Sequence, residues 1–407
     1  MTSGYMRPSH GCRGKTVMRQ NFREVIIIGA GAAGLMCAAE AGRRGRSVLV
    51  LDHAGVTGRK VRRSGGGRCN FANLSTSPRN YLSSNRRFCT SALARFGPEE
   101  FVALVKKHSV RYHSEGDRLF CDGRSLEIMR MLEEECSRSS VEVRLNCRIL
   151  RVTKEKYFTV DTSLGRFHCQ SLVVATGGVS FRQLGATDFG YRLAHRFGLN
   201  VTPIRPALVP LLWSRNDRSL FGALAGISLQ AAVTCRKETF LDGTLFTHEG
   251  LSGPAILQAS LFWTEGTPLV IDLMPGEDPH ELFLSKRTQR VEMHNLLAGY
   301  LPKRFVQTWL DVFSSSKPLN LYSDRELRKI AGALHRWEVV PAGTAGFSKA
   351  EVTLGGIDTR ELSSKTMEAK KVAGLYFLGE VIDVTGQLGG YNLQWAWSSG
   401  YAAGQFV

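Results

Sequence analysis

The chain has 407 residues, 43% apolar and 22% charged, an ordinary globular balance with room for two or three domains. This excludes a collagen-like, disordered or small disulfide-stapled protein, and nine cysteines without a Cys-x-x-Cys argue against a disulfide framework or a zinc site. The formal charge of +17 is uneven: residues 1–98 carry 17 Lys and Arg, 15 of them Arg, against Glu24, Glu40 and Asp52, a net of +14. Arginine's planar fork suits phosphate. The surplus exceeds what one dinucleotide needs, so it points to a larger anion such as nucleic acid, or else to solubility or genome composition.

Residues 1–21 hold Gly, Pro, Ser and Arg without periodicity and read as a disordered tail, with Met18 as an alternative start. No secretion signal and no apolar run of membrane length is visible, so a reduced, cytoplasmic protein without a membrane partner is expected. Val25 to Ile28 reads as a buried strand, Leu35 to Ala41 as a helix ended by Gly42, and Ser47 to Leu51 as a second strand closing with Asp52. Segments 99–110 and 125–138 have helical spacing, and Val141 to Phe167 alternates like an antiparallel meander. Leu172 to Ala175 is another buried strand, and Gly190 to Phe197 is helical.

From Pro203 the composition shifts. Leu220 to Leu273 has the short alternating runs of a small barrel, and Asp278 to Leu334 is helical. Phe347 to Val352 and Gly374 to Gly379 return to strand character, and Gln394 to Phe406 is helical. The expected fold is α/β: a Rossmann-like domain (22–203 and 345–407) interrupted by an inserted β-barrel subdomain (204–277) and a helical subdomain (278–344).

Gly29-Ala30-Gly31-Ala32-Ala33-Gly34 sits between strand and helix, with an acid closing the next strand. There Gly29 makes the tight turn, Gly31 lets a pyrophosphate reach the backbone, Gly34 lets the helix pack close, and Asp52 can accept from ribose hydroxyls. A second motif joins Gly58-Arg59-Lys60 to Ser64-Gly65-Gly66-Gly67-Arg68-Cys69-Asn70. Its glycines permit positive φ and expose backbone donors, so it suits phosphate or a planar ring, or is a solvated basic loop. Ala175-Thr176-Gly177-Gly178 ends a strand where doubly wound sheets bind ligands. Gly379-Glu380-x-x-Asp383 and Gly389-Gly390-Tyr391-Asn392-x-Gln394 lead into the last helix, whose N–H groups can face a partly negative ring oxygen. Each is otherwise a turn or a cap.

Together these segments resemble the BaiN/RdsA family of FAD-dependent bacterial flavoproteins. Gly58 to Asn70, Gly185 to Tyr191, Pro206 to Pro210, Thr247 to Pro254 and Gly389 to Gly400 carry the resemblance, from about residue 23 onward. It implies a Rossmann-like FAD-binding domain with an inserted β-barrel and helices. Gly29, Ala30, Gly31, Ala33, Gly34 and Asp52 would hold the AMP half. Arg59, Lys60, Gly66, Gly67, Arg68, Cys69 and Asn70 would follow the pyrophosphate and flavin, and Ile149 would hold adenine through its backbone. Ala175, Thr176 and Gly177 would line the crevice. Gly379, Glu380, Asp383, Gly390, Tyr391, Asn392 and Gln394 would meet the ribityl chain and flavin. Asp52 departs from the commoner glutamate, and Phe181-Arg182 and Asp188-Phe189-Gly190 depart from the expected Tyr-Pro and Gly-Asp-Gly, which implies an altered wall.

The resemblance implies C=C reduction, either of a uridine in large-subunit ribosomal RNA or of an unsaturated bile-acid ring. The charge favours RNA as partner, through the Arg-rich first 98 residues. An enone reductase of a steroid-like molecule, an amine oxidase, and an RNA-binding assembly factor with structural FAD are the alternatives. With one Gly-x-Gly-x-x-Gly, the chain has no second dinucleotide domain, so NAD(P)H is expected as a transient reductant. No metal motif is present. His248 leads the candidates for proton donor, ahead of Cys69 and Cys121.

Overall fold

The computed structural model describes residues 21–407, so the expectation for the tail lies, but for Asn21, outside the described residues. Two compact units emerge: residues up to Ile204 together with Gly355–Val407, and Arg205–Leu354.

In the first unit, β1 (Phe22–Ile28) runs into helix α1 (Ala32–Arg43) and then β2 (Val48–Leu51). The Val25–Ile28 run is β-branched and flanked by parallel neighbours on both sides, so it is buried on both faces. One neighbour is β2; the other is β3 (Gly165–Val174). Beyond β2 lies Glu142–Arg144, also parallel. β3 is long and changes partners along its length. Residues 165–169 pair antiparallel with Phe158–Thr162, which pairs in turn with Ile149–Lys154, while Leu172–Val174 pairs parallel with β4 (Leu375–Phe377). The expected meander and the later buried strand therefore share one continuous strand.

The last helix, α2 (Tyr391–Gly404), packs against α1 through small residues. A Cβ on Gly400 would stand 2.5 Å from Ala33 O, and one on Gly404 would stand 2.6 Å from Glu40 Cβ. Ala-rich α1 meets glycine-bearing α2 at backbone distance, which fixes where α2 begins.

The second unit is one body rather than a barrel followed by a helical subdomain. Its seven-stranded antiparallel sheet runs Trp337–Val339, Leu269–Asp272, Ser228–Cys235, Glu238–Phe246, Gly250–Ser252, Leu211–Leu212, Gly343–Thr344, a path with two open ends. Both end strands come from 337–344, a stretch expected to belong to the helices. One hydrophobic cluster joins Val233, Phe246 and Trp337 of the sheet to Phe283, Phe305, Trp309 and Leu334 of the helices, so no boundary falls near residue 277. Phe347 to Lys349 forms a turn, and the strand there is confined to Val352–Leu354. Among the described residues no helix is long and apolar enough to cross a membrane.

Candidate functional site

The site is built within the first unit, at the C-terminal ends of β1, β3 and β4. Gly29 leaves β1 at φ +114, a left-handed value, and its N–H donates to Leu51 O at 2.8 Å. A Cβ on Gly29 would fall 2.4 Å from Ala175 O, and one on Gly34 would fall 1.9 Å from Gly29 O. Turn, helix and strand end are thus packed backbone to backbone. Gly31 differs, because a Cβ there would meet nothing within 4 Å. Gly31 caps α1 in extended conformation, and the first turn has neither a side-chain cap nor an acid. The leading N–H groups of α1, with the positive end of its dipole, face open space suited to a pyrophosphate.

Asp52 Oδ2 accepts from Ala30 N–H at 2.7 Å and Oδ1 accepts from Ala54 N–H at 2.8 Å. The carboxylate braces the turn, and each oxygen keeps a lone pair for a ribose hydroxyl. Asp52 O also accepts from Cys147 N–H at 2.8 Å, which brings the stretch just before Ile149 alongside it.

The second loop is tied to the first by Gly58 N–H donating to Ala30 O at 2.9 Å. Gly66 and Gly67 have φ +65 and +91, and a Cβ on either would meet nothing within 4 Å. A cavity of about 400 Å³ lies against them, rimmed by Arg62, Arg68 and Arg124. Arg68 lies 5.1 Å above the Phe120 ring and 3.3 Å from Glu115, and Arg59 donates to Leu184 O at 3.2 Å. Lys60 Nζ lies 2.5 Å from Glu380 Oε2, a partner 320 positions away, and 2.7 Å from Ser180 Oγ. Ser180 Oγ in turn donates to Glu380 Oε1 at 3.0 Å.

Thr176 follows β3, and its buried Oγ1 has no hydrogen-bond partner, as is true of Tyr191 Oη. Burial, with Glu380 nearby, pushes the Tyr191 phenol well above its usual range. Gly177 has φ +71 with open space where a Cβ would be. Gly379 is clamped by α2: its N–H donates to Ser399 Oγ at 3.0 Å, and its carbonyl accepts from Trp395 Nε1 at 3.1 Å. Ala33 lies against Gly379, leaving 3.1 Å to a Cβ there. Gly390 opens α2 at φ +95, where a Cβ would come within 2.7 Å of Ala72 backbone and 2.8 Å of Asn70 Oδ1. Tyr391 O accepts from Tyr81 Oη at 2.9 Å, and Asp383 Oδ2 accepts from Ser84 N–H at 3.0 Å. Open glycines, orphaned polar atoms and uncapped helix N–H groups in one place fit a dinucleotide bearing a flat polar ring.

Three expected site residues, Cys69, Gln394 and Asn392, are enclosed or bonded within the fold. Cys69, at φ +55, is fully enclosed, as is Cys121. The neighbouring Cys69 thiol and burial push the Cys121 thiol far above its usual range, and with both side chains enclosed neither opens onto the cleft. Gln394 is likewise enclosed, its Nε2 donating to Phe96 O and Ser398 Oγ at 3.1 Å, a brace for α2. Asn392 spends its amide on Gly386, accepting from N–H and donating to O at 2.8 Å. His248 stands exposed on the bend before Gly250–Ser252, in the second unit. Phe181, one of the departures, adopts the left-handed φ +56. Ser180, Tyr191 and Ser399 were not anticipated in these roles; only their place beside glycine-bearing segments pointed to them.

The basic surplus is partly neutralised in three dimensions. Arg23 pairs with Glu142, Arg46 with Glu24, and Arg68 with Glu115. Among the described residues no three His, Cys, Asp or Glu gather as a metal site would require.

Comparison with known proteins adds the lineage. Residues 23–406 match the model of the HI0933-like protein Rossmann domain. The chain is 47% identical over 392 residues to the ribosomal RNA dihydrouridine synthase of Escherichia coli (strain K12), covering 94% of this chain and 97% of that protein. It is 44% identical over 393 residues to the protein of the same name from Haemophilus influenzae (strain ATCC 51907 / DSM 11121 / KW20 / Rd), covering 94% and 97%. It is 27% identical over 406 residues to the 3-dehydro-bile acid delta(4,6)-reductase of Clostridium scindens (strain ATCC 35704 / DSM 5676 / VPI 13733 / 19), covering 94% and 98%. The glycine turn at the head of a parallel sheet and a match running almost end to end agree: the chain belongs to the HI0933-like family of Rossmann-domain oxidoreductases.

Proposed function

We propose that this chain is an FAD-dependent oxidoreductase that reduces a uridine of large-subunit ribosomal RNA to dihydrouridine. The observation that carries the substrate is the pair of near-full-length relatives named ribosomal RNA dihydrouridine synthase. FAD is supported by the open glycines and orphaned polar atoms of the site. When bound, FAD supplies hydride transfer to an electron-poor C=C. The pyrimidine C=C takes up one hydride and one proton, and NAD(P)H, proposed as reductant, becomes NAD(P)⁺.

The chain's own groups divide the remaining work. Gly31 and the α1 N-terminus would hold the pyrophosphate, Asp52 the ribose, and the backbone at Ile149 the adenine. Gly66, Gly67 and Gly177 would admit the planar part, which no side chain could approach as closely. Lys60, Ser180 and Glu380 lock one wall across 320 positions of sequence. The N-terminus of α2 would favour negative charge on the facing ring edge. For the proton we assign His248 ahead of Cys69, because its ring is exposed and the Cys69 thiol is enclosed. The target base must leave its stack to react. A ribosomal substrate puts the activity in the cytoplasm.

Nucleoside mass spectrometry of ribosomal RNA from a deletion strain tests this. Loss of dihydrouridine, restored by a plasmid copy, is expected. An unchanged dihydrouridine content, or a purified protein that oxidises NAD(P)H with an unsaturated bile acid and not with RNA, overturns it.

A further inference from the structure

We propose that Arg79, Arg86 and Arg87, displayed from the stretch Ser77–Cys89, form the phosphate grip that docks RNA at this site. The inference rests on the substrate reading above and names where the partner is held. Residues 53–98 contain nine Lys and Arg and no Asp or Glu. The fold sorts these nine. Lys60 is spent on Glu380, Arg62 lies 3.8 Å from Glu133, and Arg68 lies 3.3 Å from Glu115. Arg59 donates to Leu184 O, and Arg95 donates to Lys365 O and lies over the Phe406 ring. Among the described residues Arg63, Arg79, Arg86 and Arg87 are exposed and their guanidinium groups have neither an acid nor a carbonyl partner. Three of these four fall within nine positions of one another.

The stretch that carries them is firmly built. Ser77 and Asn80 form a reciprocal capping box around Pro78–Asn80. Tyr81–Leu82 pairs with Thr385–Gly386. Phe88 N–H donates to Asn85 O at 2.9 Å, closing a turn with Arg86 and Arg87 at its two central positions. Asn85 Oδ1 accepts from Arg87 N–H at 3.2 Å, and buried Phe88 meets Trp395 edge to face at 6.2 Å. Two consecutive arginines therefore leave a turn whose backbone is fixed, with no acid among the described residues paired to either.

That base is bonded to the segment assigned to the reacting end of the cofactor. Ser84 N–H reaches Asp383, Gln387 N–H reaches Asn80 O at 2.9 Å, and Tyr81 Oη reaches Tyr391 O. Three exposed guanidinium forks within nine positions of one another suit successive phosphates of a strand better than a single small anion. A strand gripped there runs past the place where its base must be presented.

The test compares the wild-type flavoprotein with the triple variant R79A/R86A/R87A and with R79K/R86K/R87K. Binding of deproteinised ribosomal RNA and of a fluorescent oligouridylate is measured across a salt series, with flavin content, melting temperature and dihydrouridine formation alongside. Each phosphate contact contributes about 0.7–0.9 to the slope of log K against log salt, so losing three in the Ala variant should flatten it by about 2–3. KM for RNA should rise at least about tenfold with kcat nearly kept, and the Lys variant should retain most of the slope. Flavin content should not change. An unchanged slope in the Ala variant overturns the grip. If the wild type makes dihydrouridine and the slope is unchanged, the grip fails and the substrate reading stands. If the slope flattens while the wild type makes no dihydrouridine, the grip stands and the substrate reading fails.

Discussion

Replacing Gly31 and Gly34 separately distinguishes a cofactor cradle from a packing turn. At Gly31 the backbone is at φ −90 and ψ −169, which any residue adopts, and an added methyl meets nothing within 4 Å. Gly31→Ala loses a slightly better N-cap, roughly a few tenths to 1 kcal/mol. It gains about 0.4–1 kcal/mol from a less flexible unfolded chain. The apoprotein should therefore melt within a few degrees of wild type. The methyl occupies the space a pyrophosphate would use, and overpacking of that kind costs about 1–3 kcal/mol. FAD affinity should fall about 5- to 150-fold. Gly34→Ala should do the reverse damage, because its methyl would sit 1.9 Å from Gly29 O, a backbone atom that cannot swing aside. That variant should be poorly folded before cofactor is considered. Thermal melts of the apoproteins and fluorescence titration with FAD read both effects. A Gly31→Ala protein that binds FAD as wild type does would refute the cradle, and a Gly34→Ala protein of normal stability would refute the packing.

Further predictions concern pairs and protons. In a double-mutant cycle of Lys60→Met and Glu380→Gln, urea denaturation should show a coupling of about 1 kcal/mol, modest because Lys60 is 39% exposed; additive effects would mean the pair is not formed. Glu361 is held below its ordinary value of 4.5 by the hydrogen bond from Lys371, then by Asn200 N–H. A carboxyl lowered in the folded state contributes stability above pH 4.5 that is lost as pH falls through its lower folded value. Glu361→Gln should therefore make stability less steep in acid, and an unchanged acid limb would remove this group from the account. His248→Asn should lower the rate of dihydrouridine formation by about 10²- to 10⁴-fold with FAD binding intact, whereas Cys69→Ser should retain it. The opposite ranking in single-turnover assays would reverse the assignment of the proton donor.

What could be read from residues alone was what is local. Gly29, Gly31 and Gly34 declare themselves because strand, turn and helix are consecutive, and the physical demand on each glycine falls within six positions. β3 was harder, since residues 165–169 and 172–174 serve antiparallel and parallel partners in one strand, and alternation alone reports no partner. The insertion read as barrel then helices because composition changes near residue 278, yet the sheet recruits its end strands from 337–344 after the helices. Lys60 and Glu380 were each visible as charged residues of glycine-bearing motifs; their union through Ser180 was not, for nothing in a linear spacing brings positions 320 apart together. The enclosure of Cys69 depends on the strand Asn70–Asn73 folding against Arg118–Cys121, a contact no motif encodes. Charge counting overstated the free arginines because their acid partners, such as Glu115 and Glu142, lie beyond residue 98.

The most direct measurement is an anaerobic one. The purified flavoprotein is reduced with NAD(P)H until its flavin absorbance is bleached, and deproteinised ribosomal RNA from the deletion strain is then added. The absorbance should return in step with the appearance of dihydrouridine in the digested RNA, one uridine gaining two hydrogens for each flavin reoxidised. Reoxidation by RNA without dihydrouridine, or a flavin that stays bleached until air is admitted, would contradict the proposed reaction.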